Sequence, residues 1–148
     1  MNAIAPALVA CSGAILLLLG LAHLVITFRG PKMLPRDSGL RVRMQEVSPV
    51  ITRQTTMWKA WVGFNASHSY GLVLFGAVYI YLALAHERML FQSAYLLALG
   101  FLVLLGYVFV AERYFFRVPL RGVLLATVLY AAAVAFSVCL FTSRVPPI

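Results

Sequence analysis

Four stretches of this chain are almost free of charge, and the charges are bunched in the gaps between them. The apolar runs cover about 5–28, 58–85, 90–111 and 118–142, each close to the ~20 residues that a helix needs to cross hydrocarbon. Three of them pass that criterion outright, apart from Arg121 near the start of the last. The run 58–85 contains Asn65 and His68, which need a reason to be there. The pattern predicts an all-α integral membrane four-helix bundle, with 1–148 forming a single transmembrane domain.

The second run and its approach, Ser48 to Ala85, are the richest part of the chain. Ser48 followed by Pro49 is a helix-start signal, a hydroxyl cap before a proline. On a helix, Gln54, Trp58, Trp61, Asn65, His68, Ser69, Leu72 and Gly76 share one wedge. Ala60, Gly63, Ser67 and Gly71 form a small-xxx-small ridge on the far side, predicting close helix packing there. Val62, Ala66, Val73 and Ala77 are then left to meet lipid.

The gaps are less decisive. The segment at about 38–57 reads as a cytoplasmic amphipathic element. Leu40, Met44, Val47 and Ile51 suit a surface helix, while Leu40, Val42 and Met44 alternate as a strand would, so 32–48 stays open. A lone strand has no sheet to join, which favours the interfacial helix. His86, Glu87 and Arg88 make a tight turn. Ser93, Gly100 and Tyr107 repeat along the third span, and Ala126, Tyr130, Ala133 and Ser137 along the fourth, as packing seams.

Composition agrees with the pattern: 63% of residues are hydrophobic and 11% charged, against about 25% charged in soluble domains. The net charge of +8 is distributed unevenly. Arg29, Lys32, Arg36, Arg41, Arg43, Arg53 and Lys59 lie between the first two spans, and Arg113, Arg117 and Arg121 between the last two. Only Arg88 and Arg144 lie on the other side. The positive-inside rule places both basic connections in the cytoplasm and both termini outside. Anionic headgroups and membrane lipids are the partners that this charge suits. Nucleic acid is not, because no aromatic-basic reading surface accompanies it. Cys11 and Cys139 have no metal or redox spacing, and whether they pair is open. Leu8-Val9-Ala10-Cys11 looks like a lipoprotein cleavage box, but no basic residue precedes it and the apolar run continues past it, so the first span is expected to be retained.

Chemistry is concentrated at one depth. His23 and Thr27 of the first span, Trp61, Asn65, His68 and Ser69 of the second, and Tyr107 of the third all fall towards the basic side. Polar groups at such depth are costly and mark candidate ligand pockets; they also serve as interhelical glue worth about 0.6–2 kcal/mol each. The two histidines are candidate axial ligands for haem b, and the cluster is a candidate site for a quinone or another lipid-like headgroup. Zinc is disfavoured, since two histidines without nearby carboxylates fall short of three protein ligands. No catalytic nucleophile is visible. The expectation is therefore a binder of a hydrophobic, lipid-like ligand or an accessory subunit of a membrane complex, with a membrane-protein partner or homo-oligomer in the second case. A redox or lipid-modifying enzyme using His23 and His68 is the alternative.

The segments RGPKMLPRD, MQEVSP and TTMWKAWVGFNASHSYG resemble a family of small, uncharacterised bacterial four-helix inner-membrane proteins with a WxGFNxSHS block. The resemblance covers nearly the whole chain. It implies a bacterial source and the four-span architecture, and it brings no activity, cofactor or partner.

A test follows from the charge bias. A reporter fused after Ile148 is expected to read as periplasmic and one inserted at Gly39 as cytoplasmic; a cytoplasmic carboxyl terminus would overturn the orientation.

Overall fold

The computed structural model describes residues 3–142, and helices account for most of them. In chain order these are α1 (Ile4–Phe28), α2 (Ser38–Glu46), α3 (Met57–Ala85), α4 (Glu87–Gln92), α5 (Ala94–Tyr114) and α6 (Arg117–Thr142). The fold is an all-α helical bundle. α1, α3, α5 and the part of α6 up to Cys139 are long and apolar enough to cross a membrane, which makes this a multi-pass membrane protein. The chain divides into two compact units, one of residues 20–72 and one of 1–19 with 73–148.

In the unit 20–72, local chemistry explains each boundary. α1 stops where Gly30 takes a left-handed φ of 83° ahead of Pro31, the conformation that glycine adopts without steric penalty. Asp37 caps α2, its Oδ1 accepting from the amides of Gly39 at 2.8 Å and Leu40 at 3.3 Å. α2 ends at Glu46 and buries no residue. The helical reading of this segment thus holds for its first part, while Ile51 lies beyond the helix. Ser48 and Pro49 do not start α3. Pro49 instead opens a turn closed by the Thr52 amide on its carbonyl at 3.2 Å, and the Thr52 hydroxyl takes the Gln54 amide at 3.1 Å. Such hydroxyl-backbone bonds compete with helix. α3 begins nine residues later, where the Thr56 Oγ1 receives the Lys59 amide at 3.3 Å. The Met57 amide then bonds back to the Val47 carbonyl at 2.9 Å and closes the loop.

The other unit is held by backbone approach. A Cβ on Gly76 would meet the Gly13 carbonyl at 2.5 Å and Leu17 at 2.8 Å, so α1 and α3 touch main chain to main chain. Ser12 donates to the Ala126 carbonyl at 2.8 Å, tying α1 to α6. Tyr79 donates to the Leu96 carbonyl at 2.8 Å and Tyr130 to the Leu97 carbonyl at 3.1 Å. Both rings lie over Gly100, whose missing side chain is what admits them. The break between α4 and α5 sits at Ser93, whose hydroxyl caps α5 through the Leu96 amide at 3.2 Å. The third span is therefore shorter at its start than the apolar run 90–111 suggests, and it extends further, to Tyr114.

The faces of α3 differ from the sequence pattern. Gly63 has open space where a side chain would stand, Ser67 is exposed and Gly71 half-buried, whereas Ala66 is buried. Gly63 and Ser67, two members of the expected small-residue ridge, therefore do not make the close approach among the described residues. Spacing identifies a smooth strip on a helix but not which neighbour uses it, and the close approach is made by Gly13 and Gly76. Gly76→Leu is accordingly expected to cost at least about 1–3 kcal/mol of stability, the usual penalty of overpacking. Gly63→Leu should be near neutral in detergent unfolding; equal losses would show that α3 is rotated.

Candidate functional site

α1 gives up its last turns, and α3 its first, to a polar cluster within the unit 20–72. His23 stands five residues before the end of α1 at Phe28, about 8 Å along the helix axis. Its Nε2 lies 3.1 Å from the Asn65 Oδ1. The Asn65 Nδ2 donates to the Trp61 carbonyl at 2.8 Å, one turn back along α3. That bond fixes the amide, because only an N–H can point at a carbonyl. The Asn65 oxygen must then face His23, and an amide oxygen can only accept. His23 therefore donates through Nε2.

His68 lies one turn further along α3. Its ring meets that of His23 edge-to-face, with centroids 5.6 Å apart and planes at 86°. His23, Asn65 and His68 are all half-buried, and Trp61 beside them is 42% exposed. The structure thus brings together His23, Trp61, Asn65 and His68.

Two other sequence candidates turn away. The Thr27 hydroxyl donates to the His23 carbonyl at 2.8 Å, and the Ser69 hydroxyl to the Asn65 carbonyl at 2.9 Å. Both are bonds back along the residue's own helix, and Ser69 is fully buried. Each braces the turn that carries a network residue and has its hydrogen committed there, leaving the oxygen able only to accept. Tyr107 is half-buried on α5 and belongs to the other unit.

The arrangement does not fit a b-type haem. Axial imidazoles must aim one nitrogen each at a single iron from opposite faces of the macrocycle. Here the His23 Nε2 is spent on Asn65, and an edge-to-face ring contact leaves no gap for a porphyrin between the two. Among the described residues no group of three His, Cys, Asp or Glu is placed to hold a metal ion.

One feature of this unit escaped the sequence reading. The Arg41 guanidinium of α2 sits 5.4 Å from the Trp58 ring centroid, a cation–π contact of about 0.5–1 kcal/mol at an exposed site. It ties the basic segment to the first turn of α3. Both residues stand out in the sequence, but 17 positions of irregular and helical chain separate them, and no spacing rule pairs them. Comparison with protein families, with curated proteins and with solved structures finds no match.

The His23–Asn65 bond is checked by a double-mutant cycle. His23→Ala and Asn65→Ala should be non-additive by about 0.5 kcal/mol or more, as expected of residues sharing one hydrogen bond; strict additivity would mean that the two do not meet.

Proposed function

We propose that this protein is a non-enzymatic membrane binder of a hydrophobic, lipid-like ligand, held where α1 ends and α3 begins. The observation behind this reading is the half-buried His23–Asn65 hydrogen bond. Two polar links between helices are sealed: Ser12 and Tyr130 have no exposed surface and bond to carbonyls of neighbouring helices. The His23–Asn65 pair is only half-buried instead, beside an exposed tryptophan. Glue gains from being sealed, because an open polar group in hydrocarbon lacks a partner. A site for a ligand must stay open. Tryptophan is suited to the border between headgroup and chain, where an amphiphile would enter.

The surroundings support a lipid-facing role. In a bacterial inner membrane with the basic connections in the cytoplasm, the site lies in the cytoplasmic leaflet and both termini are periplasmic. Arg29, Lys32, Arg36, Arg41, Arg53 and Lys59 then lie near anionic headgroups, at about 1 kcal/mol for each cation close to the surface. The carboxylates of this segment are engaged locally, Asp37 in the cap of α2 and Glu46 with Arg43 at 3.3 Å. Val50 and Ile51, fully exposed at the tip of their turn, are suited to dip below the headgroups.

An accessory role in a membrane complex is the second reading. It is favoured by the exposed strip of Gly63, Phe64, Ser67 and Tyr70 on α3, which a partner helix or a second copy of this chain could cover.

Ligand-linked stability tests the first reading. In phosphatidylcholine nanodiscs, bacterial lipid extract should raise the unfolding temperature of the wild type, since a binder stabilises through its affinity for the folded state. That rise should be largely lost in His23→Ala and Asn65→Ala. Variants that are destabilised without extract, and still respond to it as the wild type does, would make the network glue.

A further inference from the structure

The hydrogen-bond polarity around His23 carries a second conclusion about the ligand itself, and it rests on the binding role just proposed. With Asn65 Nδ2 committed to the Trp61 carbonyl, Asn65 Oδ1 accepts and His23 Nε2 carries a proton. In the neutral ring the proton is therefore on Nε2, and Nδ1 keeps a lone pair.

That lone pair is accessible. The hydrogen bond of the His23 ring is the one to Asn65. Among the described residues, no buried side-chain nitrogen or oxygen lacks a hydrogen-bond partner, and His23 is only half-buried. Its Nδ1 is consequently not sealed inside the protein. Towards the hydrocarbon, water becomes too scarce to satisfy it. The occupant that suits it must bring a donor.

We infer that the His23 site selects amphiphiles whose headgroup donates a hydrogen bond, such as a hydroxyl, over otherwise identical ones whose headgroup only accepts. A quinol fits and its quinone does not. A phosphatidylglycerol, with hydroxyls on its headgroup, fits, and a phosphatidylcholine, with no donor, does not. Asn65 sets this preference without touching the ligand, by holding the proton on the far nitrogen, which makes it a positioning residue.

The experiment uses the full-length protein in phosphatidylcholine nanodiscs. A decyl-tailed benzoquinol, the matching benzoquinone and phosphatidylglycerol are added separately, and the thermal midpoint is followed. The quinol or the phosphatidylglycerol arm, according to the natural source of the donor, should act at about five-fold lower concentration than the quinone, the factor that one net hydrogen bond provides. His23→Phe should remove that difference. Asn65→Leu should narrow it, because the ring is then free to move its proton to Nδ1. Equal responses to quinol and quinone, both lost in His23→Phe, would overturn the donor preference and leave the binding role standing. No response separating wild type from His23→Phe in any arm would overturn the binding role as well. Independently of any ligand, ¹⁵N-histidine spectra should show His23 protonated at Nε2. A signal for the Nδ1-protonated ring would overturn the inference outright.

Discussion

Hydrocarbon offers no partner to a polar group, and that single constraint decides how this chain uses its few polar side chains. Each one inside a span must find a carbonyl or a side chain within the protein. Most take the nearest: Thr27, Ser67, Ser69, Thr127 and Ser137 all bond to carbonyls three or four residues back on their own helix. Such bonds satisfy the hydroxyl and bind nothing together. A small set reaches another helix. Ser12 takes the Ala126 carbonyl, and Tyr79 and Tyr130 take carbonyls near the start of α5. Those are the links that specify which helices are neighbours.

Reaching a neighbour's backbone requires that the backbones come close. Lipid tails are as apolar as leucine, so helices gain little by hiding leucines from them, and contact depends on shape. Gly13 and Gly76 supply one approach; Gly100 supplies another, beneath the two tyrosine rings. The glycines and the hydrogen bonds are thus one device seen from two sides. A larger residue at Gly100 would push away the rings whose hydroxyls donate to carbonyls near the start of α5.

The same constraint separates the candidate site from the rest. Sealed polar links hold the helices, while the His23–Asn65 bond is half-buried and directional. Its proton order runs from His23 to Asn65 and from Asn65 to Trp61. The basic segment before α3 is anchored near this site through Arg41 and Trp58. A ligand-binding role for the network, a lipid-facing role for the segment and their common membrane leaflet remain proposals that draw on charge, exposure and chemistry together.

The sequence by itself determined the architecture, because an apolar run of sufficient length has no alternative to a helix inside a bilayer. It also determined that His23 and Asn65 stand on helices of opposite direction at similar depth, since rise per residue is constant. Helix ends were less legible. Ser48 and Pro49 look like a cap and open a turn instead, and Ser93 interrupts an unbroken apolar run, because capping depends on which hydroxyl wins the local backbone amides. Only the tertiary structure decided the faces. Gly63 and Ser67 have the spacing of a packing ridge, yet Gly63 faces open space while Gly13 and Gly76 meet. Periodicity gives the angle of a residue around its own helix and carries no information about where the neighbouring helix stands. The direction of each hydroxyl was likewise beyond the sequence, and with it the difference between Thr27 or Ser69, which turn back on their own helices, and His23, which reaches across.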